Sequence, residues 1–381
     1  MSQVQPSPPL SPAVPAGSAA PGARAGRLVA LDAWRGLTIV VMWLVNNATL
    51  GAHTPWALMH APWGGHLTLT DMVFPWFLFC AGAAIPYASA AAERAGVRGW
   101  ALTLKLLRRG ALLYLVGCFV TSVADHRFTL GLGVVQLIAL ASLLAGLLQR
   151  LPLWARLAVA FGLLGVYEAL FHFLPLPGGQ VGVFQENLNA VDALNDAYLA
   201  PLGLKGLLSA VPTTALVMFG AVTADLIRKG GRVWPRLLAW GVALSALGYG
   251  LSLTPLLIEF NKAFWTPSYI LYSAGLGTLG VLAFWVLERS GAGRRLLAPF
   301  TWPGRNALFA YVAPILFKTW VLQDWQVGWS GKALSIQDSL LALWRGHLGS
   351  VAGGWLYTLA FIALWWAVSG EMARRKLIWK L

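Results

Sequence analysis

Between residues 46 and 71 the chain gathers the side chains best suited to chemistry: Asn46, Asn47, His53, His60, Trp63, His66 and Asp71, in a loop reading LVNNATLGAHTPWALMHAPWGGHLTLTDMVFPWF. An apolar run of membrane-spanning length precedes this loop and another follows it. Polar and titratable groups at the edge of a bilayer are costly unless used, so the cluster is a functional candidate. Histidine is the usual general base near neutral pH, and a neighbouring carboxylate such as Asp71 orients an imidazole. Asp71 is equally placed to cap the helix that follows. Zinc competes for any histidine cluster, but spacings of seven and six residues between His53, His60 and His66 fit no helical or knuckle pattern, and no cysteine joins them.

Other groups are weaker candidates. Glu168 and His172, four apart, can pair along one helix face. Asp32 and Arg35, three apart, can neutralise each other inside a bundle. The glycines of SAGLGTLG suit close helix packing better than nucleotide binding, because they lie in an apolar run. In PFTWPGRNALF, Pro303 at an expected helix start would put Arg305 and Asn306 in the first turn, where free backbone N–H groups and a cation favour an anion.

The elements that must carry these residues are membrane helices. Hydrophobic residues make up 58% of 381, charged residues 11%, and the mean hydropathy is +0.66; soluble domains carry about a quarter charged residues. Apolar windows of about 20 residues predict an all-α polytopic bundle of about ten spans, near 28–50, 69–91, 103–123, 130–149, 153–173, 204–228, 234–253, 264–288, 302–320 and 349–371. An even number places both termini on one side. The segments near 174–203 and 321–348 are expected to form short interfacial helices over an outward cavity. Residues 1–26, rich in Pro, Ala, Gly and Ser, are expected to be a disordered cytoplasmic tail without a cleaved signal, and 27–381 a single membrane domain. Cys80 and Cys118 fall within spans and imply no disulfide framework.

A net charge of +14 invites a nucleic-acid reading. With the termini inside, however, the outward loops hold only Arg127, Lys205, Lys262, Lys318, Lys332 and Arg345, and nearly all the other Lys and Arg fall inward. That is the positive-inside pattern, and it accounts for the charge without nucleic acid. All six histidines fall on the outward side.

The strings LDAWRGLTIVVMWLVNN and LMHAPWGGHLTLTDMVFPWFLFCAG, followed by GVVQLIAL, GLLSAVPTTALVMFGAV, FNKAFWTPSYILYSAGL and PFTWPGRNALFAYV, resemble the heparan-alpha-glucosaminide N-acetyltransferase family and its bacterial relatives over nearly the whole chain beyond the tail. The resemblance implies acetyl transfer across a membrane, from cytosolic acetyl-CoA to an amino sugar on the other side. It places the family's active histidine on His60, with Asn46 and Asp71 beside it as catalytic residues. Acceptor-binding residues would be Asn47, Trp63, Asn261, Lys262, Trp265 and Ser268, with Tyr269 in the same segment. Arg305 and Asn306 match its P-G-x-N segment. The chain departs from the pattern at Leu130, Leu132 and Leu137, and at Gly203, Leu204 and Lys205.

In this reading coenzyme A phosphates stay at the inner face with Arg305, Asn306, Arg108 and Arg109, while the thin pantetheine arm threads the protein. Asn46 would stabilise the oxyanion, and neutral His60 would act as general base or as acyl carrier. The expected setting is a bacterial inner membrane, with membrane lipid, acetyl-CoA and an amino sugar or envelope glycan as partners, no metal, and an oligomeric state left open, a homodimer included. A secondary transporter of a small polar or sugar-like solute is the alternative, although such folds tend to show paired helix interruptions near mid-membrane.

Overall fold

The computed structural model describes residues 28–254, 257–329 and 332–379; the expected N-terminal tail lies outside them. Thirteen α-helices are found among the described residues: α1 Val29–Asn47, α2 Leu69–Arg94, α3 Gly99–Ala124, α4 Val134–Leu148, α5 Leu153–Phe173, α6 Ala190–Leu194, α7 Ala210–Arg228, α8 Val233–Ser252, α9 Pro267–Leu287, α10 Gly291–Arg305, α11 Ala307–Leu316, α12 Ile336–Leu348 and α13 Ser350–Arg374. Seven helical segments are long and apolar enough to cross a membrane: α1, α2, α3, α5, Leu207–Arg228, α9 and α13. Each of the ten expected windows falls on a helix, but α4 is only 15 residues long and Ala307–Gln323 is a shorter apolar stretch. α8 is long enough but is not among the seven, so seven spans are supported by length and composition among the described residues, three fewer than the ten windows.

α7 is the centre of the bundle, buried along almost its whole length. Small residues set how close its neighbours come. A Cβ on Gly220 of α7 would sit 2.1 Å from the Phe79 carbonyl oxygen of α2, and one on Gly82 of α2 would sit 1.9 Å from the Val217 carbonyl oxygen. Backbones this close exclude any side chain, which is how helices associate where lipid is as apolar as leucine. The SAGLGTLG stretch does the same in α9, where Gly275 lies against Ser245 of α8 and Gly280 against the ring of Trp34.

Two prolines tie helices together through the carbonyls they strand. Proline has no N–H to give the carbonyl four residues back, and in a membrane a neighbouring helix must satisfy that oxygen. Pro75 in α2 strands the Asp71 carbonyl, which accepts the Tyr269 hydroxyl of α9. Pro314 in α11 strands the Ala310 carbonyl, which accepts the indole N–H of Trp43 in α1 at 2.8 Å.

The region after α9 differs from expectation. Pro303 and Arg305 close α10 instead of opening a helix, and Asn306 separates α10 from α11. The anticipated first-turn placement of Arg305 and Asn306 is thus overturned: two prolines within α10 did not stop it, because the backbone of α10 is clamped to α1, with Gly304 against the Asp32 carbonyl and Gly36 against the Phe300 carbonyl. α11 continues as a π-helical stretch, Phe317–Gln323. The two long loops do contain the expected helices, α6 and α12, but each opens with an antiparallel hairpin, Phe184–Gln185 with Leu188–Asn189 and Gln326–Trp329 with Lys332–Ser335.

Candidate functional site

Asp71 is where the site begins. It is the third residue of α2 and forms a reciprocal cap with Thr68: the Asp71 N–H donates to Thr68 Oγ1 (3.4 Å) and the Thr68 N–H to Asp71 Oδ2 (3.1 Å). Such a T-x-x-D pattern before an apolar run is a helix-start signature. The Ala61 N–H also donates to Oδ2 (3.1 Å), and the Thr68 hydroxyl donates to the Met59 carbonyl (2.7 Å). His60 is thereby held by backbone bonds on both sides.

The other oxygen of Asp71 faces His60 and Lys262. Asp71 Oδ1 lies 3.0 Å from His60 Nδ1. The carboxylate is buried to 1% exposure, whereas the imidazole is 65% exposed. Its Nε2 carries no hydrogen bond among the described residues. A buried orienting carboxylate behind an open ring nitrogen is the geometry of a general base or a nitrogen nucleophile.

Lys262 enters from the loop between α8 and α9. Its Nζ lies 2.7 Å from His60 Nδ1 and 3.1 Å from Asp71 Oδ1. Burial pushes the Lys262 ammonium below the ordinary lysine range, and the charge of Asp71 opposes that shift. The resemblance placed Lys262 with the acceptor; the structure puts it against the histidine.

Its neighbours in that segment hold the loop. The Asn261 N–H donates to Thr266 Oγ1 (3.0 Å), Asn261 Oδ1 accepts the Phe264 N–H (3.2 Å), and Ser268 Oγ donates to the Ile258 carbonyl (3.1 Å). Trp265 adopts φ 54°, the left-handed region that a bulky residue occupies only under strain. It is kept there by ring contacts with Phe74 and Tyr269, at 5.1 and 5.7 Å. Trp63 packs on Phe184 and Phe264, at 5.2 and 5.4 Å, and the Gly65 N–H donates to the Phe260 carbonyl (3.1 Å). The loop carrying His60 and the loop carrying Lys262 are therefore one packed unit.

The remaining expected residues lie elsewhere. Asn46 is the second-last residue of α1, exposed, and its backbone carbonyl accepts from Lys318 Nζ at 2.7 Å. No hydrogen bond joins it to His60 among the described residues. Asn47 is buried, its amide donating to the Trp43 carbonyl (2.9 Å) and its carbonyl accepting from Thr358 of α13 (2.8 Å). Arg108 and Arg109 are exposed on α3, and Arg305 is exposed in the last turn of α10. Asn306 is committed to the chain's own C-terminal stretch: Oδ1 accepts the Trp379 N–H (3.0 Å) and Nδ2 lies 3.4 Å from the Leu377 carbonyl oxygen. These four belong to the basic end of the bundle. α1, 19 residues long and so about 28 Å at 1.5 Å per residue, runs from that end of the bundle toward the loop that carries His60.

Arg35 was read from sequence only as the partner of Asp32, which lies 3.7 Å away. It does more, donating to the Gly304 carbonyl at 3.3 Å and the Cys80 carbonyl at 3.2 Å and so joining α1, α10 and α2. Tyr269 was placed from sequence only in the segment that matches the family, and nothing local to α9 indicates that its hydroxyl would reach the Asp71 carbonyl.

Residues 27–206 match the family model described as heparan-alpha-glucosaminide N-acetyltransferase, catalytic. That match includes His60 and Asp71 and ends before Lys262. The chain is also similar to the curated heparan-alpha-glucosaminide N-acetyltransferases of Homo sapiens, at 23% identity over 428 residues covering 93% of this chain and 60% of the relative, and of Mus musculus, at 23% over 430 residues covering 94% and 61%. The chain thus spans about three-fifths of the length of these relatives.

Proposed function

We propose that this protein is a membrane acetyltransferase that uses acetyl-CoA as donor and passes the acetyl group to an amine or hydroxyl of a sugar at the His60 end of the bundle. The observation that carries the reading is the hydrogen-bond arrangement around Asp71: one oxygen capping α2, the other 3.0 Å from His60 Nδ1. Similarity to the two curated acetyltransferases supports the reaction class.

The reactive state has the imidazole proton on Nδ1, donated to Asp71, and the lone pair on the exposed Nε2. In direct transfer Nε2 takes the proton of the acceptor as the acceptor attacks the thioester carbonyl; the C–S bond breaks and the coenzyme thiolate leaves with a proton. In the two-step route Nε2 itself attacks, an acyl-imidazole forms as the thiolate leaves, and the acceptor then displaces the imidazole. The Asn46 amide is assigned to the developing oxyanion, a donor typically worth about 3 kcal/mol. The coenzyme phosphates are assigned to the opposite end, with Arg305, Arg108 and Arg109. The proposed setting is a bacterial inner membrane, His60 facing the periplasm, which agrees with the excess of Lys and Arg in the loops at the other end.

The test is transfer of labelled acetyl from acetyl-CoA by purified protein in liposomes to a panel of amino sugars, with His60→Ala as control. Coenzyme-dependent labelling that the variant lacks supports the reading. Labelling equal in both, or none with any acceptor, overturns it.

A further inference from the structure

A cavity of about 190 Å3 lies beside the site, bounded by α5, α8, α9 and the start of the Lys262 loop. Its walls include Phe161, Leu164, Gly165, Leu247 and Leu271, and they carry one ionisable group, Glu168. Phe161 and Leu247 are exposed large apolar residues on helical flanks, so the cavity borders the lipid-facing surface. Its volume is below the roughly 300–1,000 Å3 of a pocket that encloses a whole small molecule. It suits a segment of chain whose remainder lies in the bilayer.

Glu168 makes this more than a packing gap. Its residue is more than nine-tenths buried, at 8% exposure. Oε1 accepts the Ile258 N–H (2.8 Å) and pairs with His172 Nε2 (3.1 Å), while Oε2 is buried and has no hydrogen-bond partner among the described residues. A buried carboxyl oxygen without a partner is destabilising, more so if charged, and a genuinely dry cavity is normally apolar throughout. A ligand that brings a hydrogen-bond donor on an apolar stem answers both features.

We infer that this cavity binds a long-chain amphiphile of the surrounding bilayer bearing a hydroxyl or amine, with the apolar stem against Phe161, Leu164 and Leu247 and the donor on Glu168 Oε2. The site is distinct from the His60 centre and does not depend on the acetyl-transfer reading. It adjoins that centre through the loop, where Glu168 holds Ile258, four residues before Lys262, and through Ser268 at the start of α9, which stands in its wall.

The test is photo-crosslinking of the full-length protein in phospholipid vesicles with a diazirine-bearing long-chain amino alcohol, mapped by peptide mass spectrometry. Labelling should concentrate on the α5 and α8 peptides around Phe161 and Leu247, and the same diazirine on a plain alkane should not concentrate there. Glu168→Gln keeps an acceptor for Ile258 and replaces Oε2 by a donor; it should cut the local labelling about tenfold. Gly165→Leu fills the cavity from a position whose Cβ meets nothing within 4 Å, so it keeps the fold and should cut labelling as well. Labelling spread evenly over all lipid-facing helices, or unchanged in Gly165→Leu, overturns the inference.

Discussion

Lys262 Nζ stands 2.7 Å from His60 Nδ1 although 202 residues separate them in the chain, and both groups face the same Asp71 oxygen. Only one of two proton arrangements can hold at a time. When a charged Lys262 donates to Nδ1, the imidazole proton sits on Nε2 and the exposed nitrogen is a donor. When Nδ1 donates to Asp71, the exposed nitrogen carries a lone pair.

That competition sets a pH dependence. Burial lowers the pKa of Lys262 below its ordinary value, near 10.4 for a free lysine, so the amine gives up its charge at a lower pH than a solvated one. Loss of the charge frees Nδ1 to donate to Asp71, so kcat/KM should climb with rising pH, over a limb lying below the free-lysine value. Lys262→Arg should move that limb to higher pH and Lys262→Met should remove it. A rate profile unaltered by Lys262→Met would show that Lys262 does not govern the tautomer.

Asp71→Asn should lower kcat by at least about 100-fold, the lower end of a general base's contribution, because an amide cannot hold the proton on Nδ1 in the same way. The same change places an NH2 group where the Ala61 and Thr68 N–H donors converge, or presents one to His60, and should cost about 1–3 kcal/mol of stability. Kinetics should show the loss in kcat with acetyl-CoA KM little altered; a pure KM effect would assign Asp71 to binding.

Asn46→Ala should slow transfer by about 100-fold, the equivalent of roughly 3 kcal/mol for one oxyanion donor, with coenzyme affinity unchanged. Steady-state turnover in liposomes, beside a direct acetyl-CoA binding measurement, reads both quantities. Wild-type turnover would remove Asn46 from the mechanism.

Gly304→Ala should destabilise the fold by about 1–3 kcal/mol, the usual cost of overpacking, since its Cβ would fall 1.8 Å from the Asp32 carbonyl oxygen. Gly250→Ala is the control: nothing lies within 4 Å of its Cβ, and a helical Gly→Ala change favours folding by roughly 0.5–1 kcal/mol. Thermal unfolding in detergent should separate the two, Gly304→Ala falling and Gly250→Ala holding or rising. Equal melting temperatures would mean that α1 and α10 are not rigidly apposed.

The helices were legible in the sequence because twenty-residue apolar stretches need no tertiary knowledge. Their interruptions were not. Pro303 read as a helix start, yet α10 runs through it and through Pro299, since contact with α1 outweighs local propensity. The hairpin at Phe184–Asn189 turns on Asn187 at φ 60°, a left-handed asparagine that the sequence offered inside a stretch read as helix. At the site, residue type drew attention to three histidines and Asp71 within one loop, and it was the family resemblance that picked out His60. The placement of Lys262 against them required two loops to pack, and that information resides in Gly65, Phe260, Trp63 and Phe264 together. Asn306, read as an anion ligand, is spent on the backbone of Leu377 and Trp379.

Pro75 carries a consequence for anyone stabilising this protein. By ordinary helix preference it is the first residue to replace, and Pro75→Ala would return an intrahelical N–H to the Asp71 carbonyl. The Tyr269 hydroxyl would then have to share or surrender that acceptor, slackening the hold of α9 on the very residue that orients His60. A sturdier α2 would come with a looser His60, so improvements in melting temperature gained at this position should be screened for lost turnover.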